Sequence, residues 1–192
     1  MKAYTVKYRR KRNGKTDYRS RIALLSSNKI RVIIRKSLNN HYVQLMKFNT
    51  KGDISITSAS TQELKKLGWK MHCGNLPSAY LTGYMAGLKS LKKGIKDGIL
   101  DIGLARSVKG SSYYAALKGL IDSGFKINCN PKVIPNEDLI TGKNIEQYAK
   151  VLQEKNEQYV KQFSKYLKAG LKPEELTKHF EEIKRKVKDK CQ

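Results

Sequence analysis

The chain has 192 residues and carries 40 Lys and Arg against 16 Asp and Glu, which gives a formal net charge of +24 at pH 7. A charge of this size predicts a polyanionic partner, either nucleic acid or an anionic membrane surface, rather than a surface adapted only for solubility. The three cysteines are widely spaced, and no apolar run approaches the ~18 residues of a membrane-spanning helix. We therefore expect a protein of a reducing compartment, with neither export nor a membrane span.

The first 21 residues form a basic arm. Nine of them are Lys or Arg, and Asp17 is the only acid. Tyr4, Tyr8 and Tyr18 are interleaved with the cations, and the lack of an apolar period predicts no independently packed element. Arginine binds phosphates and tyrosine rings stack on bases. The arm therefore predicts RNA binding, in preference to a solubility tail or a nuclear-localisation signal.

Three β-strands are predicted after the arm, and the short turns between them indicate an antiparallel meander. Their ranges are 29–37, 41–48 and 54–60. In the first strand Ile30, Val32 and Ile34 point to one face, whereas the cations Arg31 and Arg35 point to the other. We expect the apolar face to pack against helices and the two arginines to face outward onto RNA.

Helices and strands alternate after the meander. The predicted elements are a short helix capped by Ser60 and Glu63, helices over about 77–93 and 110–124, a strand over 98–105 and a last strand from Phe125. The strand over 98–105 follows a crossover helix, so we expect it to pair in parallel. The order β-β-β-α-α-β-α-β predicts a single α/β domain with a mixed sheet packed by helices.

The helix over 77–93 carries a stripe of small residues. Ala79, Gly83 and Gly87 are spaced by four and therefore lie on one face. Small residues at this spacing allow a close approach of another backbone. We expect this face to pack on the sheet.

The last 50 residues change character and become rich in Lys and Glu with a helical period. Gly170 and Pro173 break this segment into two parts, and Pro173 followed by acids favours a new helix N-terminus. The sequence leaves open whether these amphipathic helices pack on the domain or on a neighbour. The predicted organisation is a basic extension over 1–21, an α/β domain over 22–142 and a helical extension over 143–192.

Motifs for chemistry are sparse. His41, His72 and His179 are dispersed without zinc-ligand spacing, and no nucleotide-binding or nucleophile motif occurs. The strand carboxylates Asp53 and Asp101 leave open a nuclease of the ribonuclease-H type, although two acids are few for a two-metal site. We expect a protein that is not an enzyme and that binds no small-molecule substrate, metal or cofactor of its own.

Several stretches together resemble one family. In chain order they are RRKRNGKTDYRSRIALL, KIRVIIRKS, SASTQELKKLGW, NLPSAYLTGYMAG, ILDIGLARSVKGSSYYAALKGLIDSG and IPNEDLITG. This series resembles the archaeal form of the large-subunit ribosomal protein L-eighteen, whose eukaryotic counterpart is called L-five. The resemblance covers about residues 1–150, and the later residues match only in character.

The resemblance implies a 5S rRNA-binding protein in the central protuberance of the large ribosomal subunit, in the cytoplasm. The partners it implies are 5S rRNA, the large rRNA, the other 5S-binding ribosomal protein (L-five in bacterial naming) and neighbouring proteins of the protuberance. It implies Mg²⁺ only as an ion held by the rRNA, and no membrane. A free-standing RNA-binding module or RNA chaperone outside the ribosome is the alternative.

The RNA-contacting residues that the resemblance implies lie mostly in the arm and the first hairpin. They are Lys7, Arg9, Arg10, Lys11, Arg12, Lys15, Thr16, Tyr18, Arg19, Arg21, Arg31, Arg35, Lys36, Ser37, Asn40, His41, Lys70, Lys109 and Ser111. Lys11 stands where the family has Arg, so a forked contact becomes a point charge there. Lys109 and Ser111 belong to a loop that precedes a helix, where free backbone N–H groups favour a phosphate.

Overall fold

A four-stranded mixed sheet forms the centre of the computed structural model, which describes residues 5–154 and 156–191. The strands are β1 Arg31–Lys36, β2 His41–Lys47, β3 Ile54–Ser60 and β4 Ile99–Asp101. Their order across the sheet is β3-β2-β1-β4, with β1, β2 and β3 antiparallel and β4 parallel to β1. The predicted meander and the parallel fourth strand are confirmed.

Helices account for most of the remaining chain. They are α1 Arg9–Arg12, α2 Tyr18–Ser26, α3 Thr61–Lys66, α4 Leu76–Lys92, α5 Ser112–Asp122, α6 Glu137–Thr141, α7 Lys143–Gln153, α8 Asn156–Lys168 and α9 Leu176–Cys191. Short 3-10 turns lie at Pro131–Val133 and Pro173–Glu175. In the described ranges, no helix combines the length and the apolar character that crossing a bilayer requires. The predicted single α/β domain with a mixed sheet packed by helices is confirmed.

One face of the sheet carries the core, as the alternation of apolar residues predicts. Val32 and Ile34 of β1 and Val43 and Leu45 of β2 are all fully buried. They pack with residues of α4, α5 and α9 in one continuous apolar cluster. Burying an aliphatic side chain of this size contributes about 1.5–3 kcal/mol of favourable transfer free energy.

The small residues of α4 pack against α5, so the expectation that they face the sheet is wrong. A Cβ at Gly83 would lie 1.9 Å from the carbonyl oxygen of Ala116, and one at Gly87 would lie 1.8 Å from Ser123 Oγ. On the other helix, a Cβ at Gly119 would lie 2.1 Å from the carbonyl oxygen of Tyr80. Glycine on both sides therefore lets the two helix backbones touch.

The predicted last strand after Gly124 is not formed. Lys126 pairs with Asp97 in one isolated parallel bridge, and Lys126 N–H donates to the carbonyl of Lys96 at 2.8 Å. Pro131 then opens a 3-10 turn, so the extended segment ends before a ladder can develop. The described sheet therefore has four strands, and the element order ends in α after β4.

Helix α9 belongs to the core. Leu176, Phe180, Ile183 and Val187 recur at a helical spacing, and all four are buried in the main apolar cluster. This face packs chiefly on α4. The final helix therefore packs on the domain itself, which the sequence had left open. In contrast, α7 and α8 share a small cluster built around Ala149, Leu152 and Phe163.

The arm contains α1 and the first turn of α2, and neither helix buries a residue. The sequence predicts no packed element here, and the described arm is helical but not part of the core. Asp17 explains the start of α2, because its side chain accepts a hydrogen bond from the N–H of Arg19. Tyr4 lies outside the described residues.

Candidate nucleic-acid interface

Most of the predicted arm cations are exposed. These are Lys7, Arg9, Arg10, Lys11, Arg12, Lys15 and Arg19. Helix α1 consists of four of them in succession and has no acid in its first turn. A single helical turn of adjacent cations concentrates positive charge on all sides of the helix. None of these seven side chains has an ion-pair partner among the described residues.

Local hydrogen bonds hold the shape of the arm. Arg10 Nε donates to Thr16 Oγ1 at 2.8 Å, and the N–H of Lys15 donates to the carbonyl of Arg10 at 2.9 Å. The rings of Tyr8 and Tyr18 lie 5.0 Å apart, and Tyr8 is 71% exposed. The arm therefore presents an accessible aromatic face beside its cations, which suits stacking on an unpaired base.

Asp17, the one acid of the arm, is held by α2. Its carboxylate accepts hydrogen bonds from Ser20 Oγ at 2.7 Å and from the N–H of Arg19 at 3.0 Å. These two bonds lower the pKa of Asp17 below its usual value. The carboxylate is thus committed to the helix N-terminus, where the helix dipole favours a negative charge.

Arg31 lies in the interior, so the expectation that it faces outward onto RNA is wrong. It is 2% exposed. Its Nη2 donates to Asp53 Oδ2 at 2.5 Å, and its Nη1 donates to Asp101 Oδ2 at 3.2 Å. The alternation of β1 correctly predicts that Arg31 and Val32 point to opposite faces of the sheet. On its face, however, Arg31 is enclosed and paired with two acids that are distant in sequence.

Asp53 joins Arg31 to the arm. Its Oδ2 also accepts a hydrogen bond from Arg21 Nη2 of α2 at 2.8 Å. Burial opposes ionisation of this carboxyl group, but the hydrogen bonds from Arg31 and Arg21 outweigh burial and hold the pKa of Asp53 below its usual value. Arg21 is therefore committed to the domain and is only partly accessible.

Asp101 fixes Arg35 and the loop that follows β4. Arg35 Nη2 donates to Asp101 Oδ1 at 3.0 Å, and its Nη1 donates to the Asp101 carbonyl at 2.7 Å. The Arg35 side chain still remains 44% exposed. The N–H of Gly103 also donates to Asp101 Oδ1, and a Cβ at Gly103 would lie 2.8 Å from the Arg35 guanidinium carbon. Arg35 is thus a positioned cation at the sheet surface.

The two carboxylates on which the nuclease alternative rested form ion pairs with arginines. Asp53 binds Arg21 and Arg31, and Asp101 binds Arg31 and Arg35. Within the described part of the chain, no group of three or more His, Cys, Asp or Glu side chains is arranged to hold a metal ion. The arrangement favours a structural role for both acids.

His41 is also buried, so its predicted place on the RNA-facing surface is wrong. It is fully buried, and its Nδ1 lies 3.1 Å from the carbonyl oxygen of Cys73. Burial lowers the pKa of His41 from 6.5 to about 4, so the ring is neutral at pH 7. The neighbouring Asn40 is half-buried, and its Oδ1 accepts a hydrogen bond from Thr61 Oγ1 at 3.0 Å.

The tip of the first hairpin is accessible. Lys36 and Ser37 are exposed, and Leu38 is 92% exposed. Ser37 Oγ donates to the carbonyl of Asn40 and accepts from its N–H, which closes the turn. Lys36 therefore projects from an ordered end of the sheet, on the side away from the turn that carries Asp53.

The remaining predicted contacts lie outside the arm and the hairpin. Lys70 and Lys109 are both exposed. Ser111 is the N-cap residue of α5 and is half-buried. The structure therefore keeps the arm cations, Arg35, Lys36 and the two lysines as accessible positive charges, and it removes Arg31 and His41.

Comparison with known proteins gives two concordant matches. Residues 2–98 match the family described as "Ribosomal large subunit proteins 60S L5, and 50S L18". The "Large ribosomal subunit protein uL18" of Methanococcus maripaludis is 48% identical over 184 residues, which cover 96% of this chain and 95% of that protein. The arm, the hairpin and both acids of the arginine network lie in or next to the matched family segment.

Proposed function

The chain belongs to the family of large ribosomal subunit proteins 60S L5 and 50S L18, and from this premise we propose that it binds 5S rRNA and helps to attach it to the large rRNA in the central protuberance. Membership makes it a component of the large ribosomal subunit. It also sets aside the alternative of a free-standing RNA chaperone. The proposed partners are 5S rRNA, the large rRNA, the other 5S-binding ribosomal protein and neighbouring proteins of the protuberance.

The observation that supports this proposal best is the exposed charge of the arm. Helix α1 presents Arg9, Arg10, Lys11 and Arg12 together, without an ion-pair partner in the described chain. Adjacent cations without nearby acids repel one another, so binding of an external polyanion would relieve this repulsion. Residues 1–50 contain 14 basic and 1 acidic residue, which makes this end of the chain the strongest attractor of phosphate.

The proposed mechanism is binding without turnover. Each cation that neutralises a phosphate releases a condensed counterion, and this release drives affinity and makes it sensitive to salt. Arginine forks then orient the RNA backbone, while the Tyr8 ring is available to stack on an unpaired base. Specificity comes from RNA shape and single-stranded positions rather than from base edges in a duplex.

We also propose that the chain has no catalytic role and holds no cofactor of its own. Its family consists of ribosomal structural proteins, and its two candidate nuclease acids are engaged by Arg21, Arg31 and Arg35. Any Mg²⁺ at the interface is then held by the RNA, whose phosphates supply the oxygen ligands that this ion prefers.

A gel-shift titration tests the proposal. The full chain is titrated into 5S rRNA and, in parallel, into an unrelated structured RNA of equal length at near-physiological salt. We expect an affinity for 5S rRNA at least about 10³-fold higher, the lower end of the range for specific over non-specific nucleic-acid binding. Equal affinity for the two RNAs would refute specific 5S binding and leave only a general attraction to polyanions.

A further inference from the structure

Five charged side chains form a continuous network across the sheet. In spatial order they are Arg21, Asp53, Arg31, Asp101 and Arg35. They come from α2, the turn before β3, β1, the end of β4 and β1 again. Of the four links, three are between 2.5 and 3.0 Å long, and the link from Arg31 to Asp101 is the longest at 3.2 Å. The network thus connects the arm to the strand that carries Arg35.

The centre of this network is shielded from water. The Arg31 side chain is 2% exposed, that of Asp101 is 9% exposed and that of Asp53 is 16% exposed. Ion pairs gain strength and resist salt screening when they are removed from solvent. The outer link is more open, because the Arg21 side chain is 33% exposed. Arg21 therefore attaches a surface helix to a rigid buried charge.

The link between Arg21 and Asp53 is the arm's main polar attachment. In the described chain it is the one hydrogen bond or ion pair that joins residues 5–28 to the domain beyond Lys29, since the other bond leaving this segment runs from the N–H of Lys29 to Ser27 Oγ. Helix α2 buries no residue fully; Leu24 and Leu25 are half-buried, and neither belongs to the main apolar cluster. The direction in which the arm leaves the sheet then depends on Asp53.

The placement of acids points the same way. The first 60 residues contain two acids, Asp17 and Asp53. Asp17 caps α2, and Asp53 binds Arg21 of the same helix. In a segment whose charge attracts RNA, each acid weakens that attraction, and both are used to hold the helix that precedes the first strand.

We propose that Asp53 is a positioning residue for RNA binding, which holds α2 through Arg21 against the buried Arg31 and so aims the arm cations at the RNA. This inference rests on the proposed function. A fixed arm loses less conformational freedom on binding than a free one, so the RNA affinity is higher. Asp53 raises affinity in this way although its own charge repels phosphate.

The sign of one substitution separates this role from simple electrostatics. Asp53→Asn keeps the side-chain shape but removes a negative charge. Electrostatics alone predicts tighter binding to 5S rRNA, whereas the positioning role predicts binding about tenfold weaker. The matched control is Asp138→Asn, which neutralises a carboxylate that is 70% exposed on α6, and which should leave affinity unchanged or slightly higher. Tighter binding by Asp53→Asn would overturn the proposal.

A double-mutant cycle identifies the partner of Asp53. Arg21→Gln removes the other side of the contact from the protein surface, so it should weaken binding without unfolding the chain. Both substitutions break the same contact, between Arg21 and Asp53. The double variant should therefore bind 5S rRNA about as tightly as the single variant with the lower affinity. Losses that simply multiply would show that the two residues act separately and would overturn the proposal.

Amide hydrogen exchange of the free protein tests the attachment without RNA. In both single variants the N–H groups of α2 should exchange several-fold faster. In Arg21→Gln those of β1 and β2 should keep their rates, because this variant leaves both acids on Arg31. Unchanged rates in α2 would overturn the attachment by Asp53. Absence of 5S binding by the unmodified chain would instead refute the proposed function, and the exchange rates would still decide whether Asp53 holds the arm.

Discussion

A guanidinium group does not lose its proton inside a protein, so a buried arginine remains charged. Burying Arg31 therefore carries a large desolvation cost, which is offset by contacts with Asp53 and Asp101 on two sides. The two carboxylates depend on the same arginine. Each member of this group is thus costly to remove singly, whatever the net contribution of the whole network to folding.

Replacing Arg31 should destabilise the fold. Arg31→Met keeps an unbranched side chain but leaves Asp53 and Asp101 poorly compensated, so we expect the free energy of unfolding to fall by about 3–5 kcal/mol. Urea denaturation followed by circular dichroism measures this change. Lys36→Met on the same strand changes an exposed cation and should alter stability by less than about 0.5 kcal/mol. Equal stabilities of the two variants would contradict the structural role of Arg31.

His41 should make stability depend on pH. The unfolded chain binds the proton near pH 6.5, whereas burial lowers the pKa of the folded state to about 4. The free energy of unfolding should therefore fall as the pH drops from about 6.5 to about 4, by about 3 kcal/mol from this group. The measurement compares urea denaturation of the unmodified chain and His41→Gln across this range. Parallel pH profiles would show that His41 does not carry the effect.

The sequence predicted the basic segments of the candidate site, but it did not predict which arginines pair with which aspartates. The alternation of β1 assigns Arg31 and Arg35 to the face opposite Val32 and Ile34, as the structure shows. The sequence does not show that Asp53 and Asp101, which lie 22 and 70 positions from Arg31, meet on that face. Such long-range pairing arises from the order of the strands in the sheet. A cation in a strand therefore gives the same sequence pattern whether its side chain contacts RNA or an acid.

At the scale of elements, local signals were sufficient where an apolar period or a cap was present. The three meander strands, α4 and α5 follow from period and capping, and Asn75 caps α4 by accepting from the N–H of Ser78. Helix α2 has no comparable apolar stripe, so its only sequence signal was Asp17 followed by helix-forming residues. The absent strand after Gly124 shows the converse case, in which Pro131 opens a 3-10 turn and ends the extended segment after one isolated bridge.

The amphipathic period of α9 was evident, but its partner was not, because an apolar stripe does not identify the surface that covers it. The structure shows that the stripe completes the core beside α4. A deletion of residues 157–192 would therefore remove core side chains and is unsuitable as a test of RNA binding. Point substitutions on exposed positions are required instead.

Truncating one side chain of α9 should test its place in the core. Phe180 is 3% exposed and packs against the ring of Tyr80, with centroids 5.6 Å apart. Phe180→Ala should lower the free energy of unfolding by about 3–5 kcal/mol, because it leaves a cavity among apolar neighbours. Glu181→Ala, at the exposed neighbouring position, serves as the control. If both variants melt at the same temperature, α9 does not stabilise the domain.

Across the described residues of the whole molecule, paired charges lie mainly in the α/β domain and unpaired cations are concentrated in the arm. Asp53 and Asp101 pair with arginines and Asp122 pairs with Lys118, whereas the arm cations from Lys7 to Arg19 have no ion-pair partner among the described residues. The sheet and its arginine network provide a rigid support, and the arm extends from it as a positively charged projection. This arrangement supports a molecule that binds RNA by position as well as by net charge.

The most direct test compares two variants of equal charge in binding to 5S rRNA. One converts Arg9, Arg10, Lys11 and Arg12 of α1 to Gln, and the other converts Lys178, Arg185, Lys188 and Lys190 of α9 to Gln. The salt dependence of affinity is measured for each by gel shift. We predict that the α1 variant loses at least about 100-fold in affinity and that its slope of log affinity against log salt is shallower by about 3–4, while the α9 variant loses only a few-fold. Equal losses and equal slopes would show that net charge alone attracts the RNA and would contradict binding through the arm.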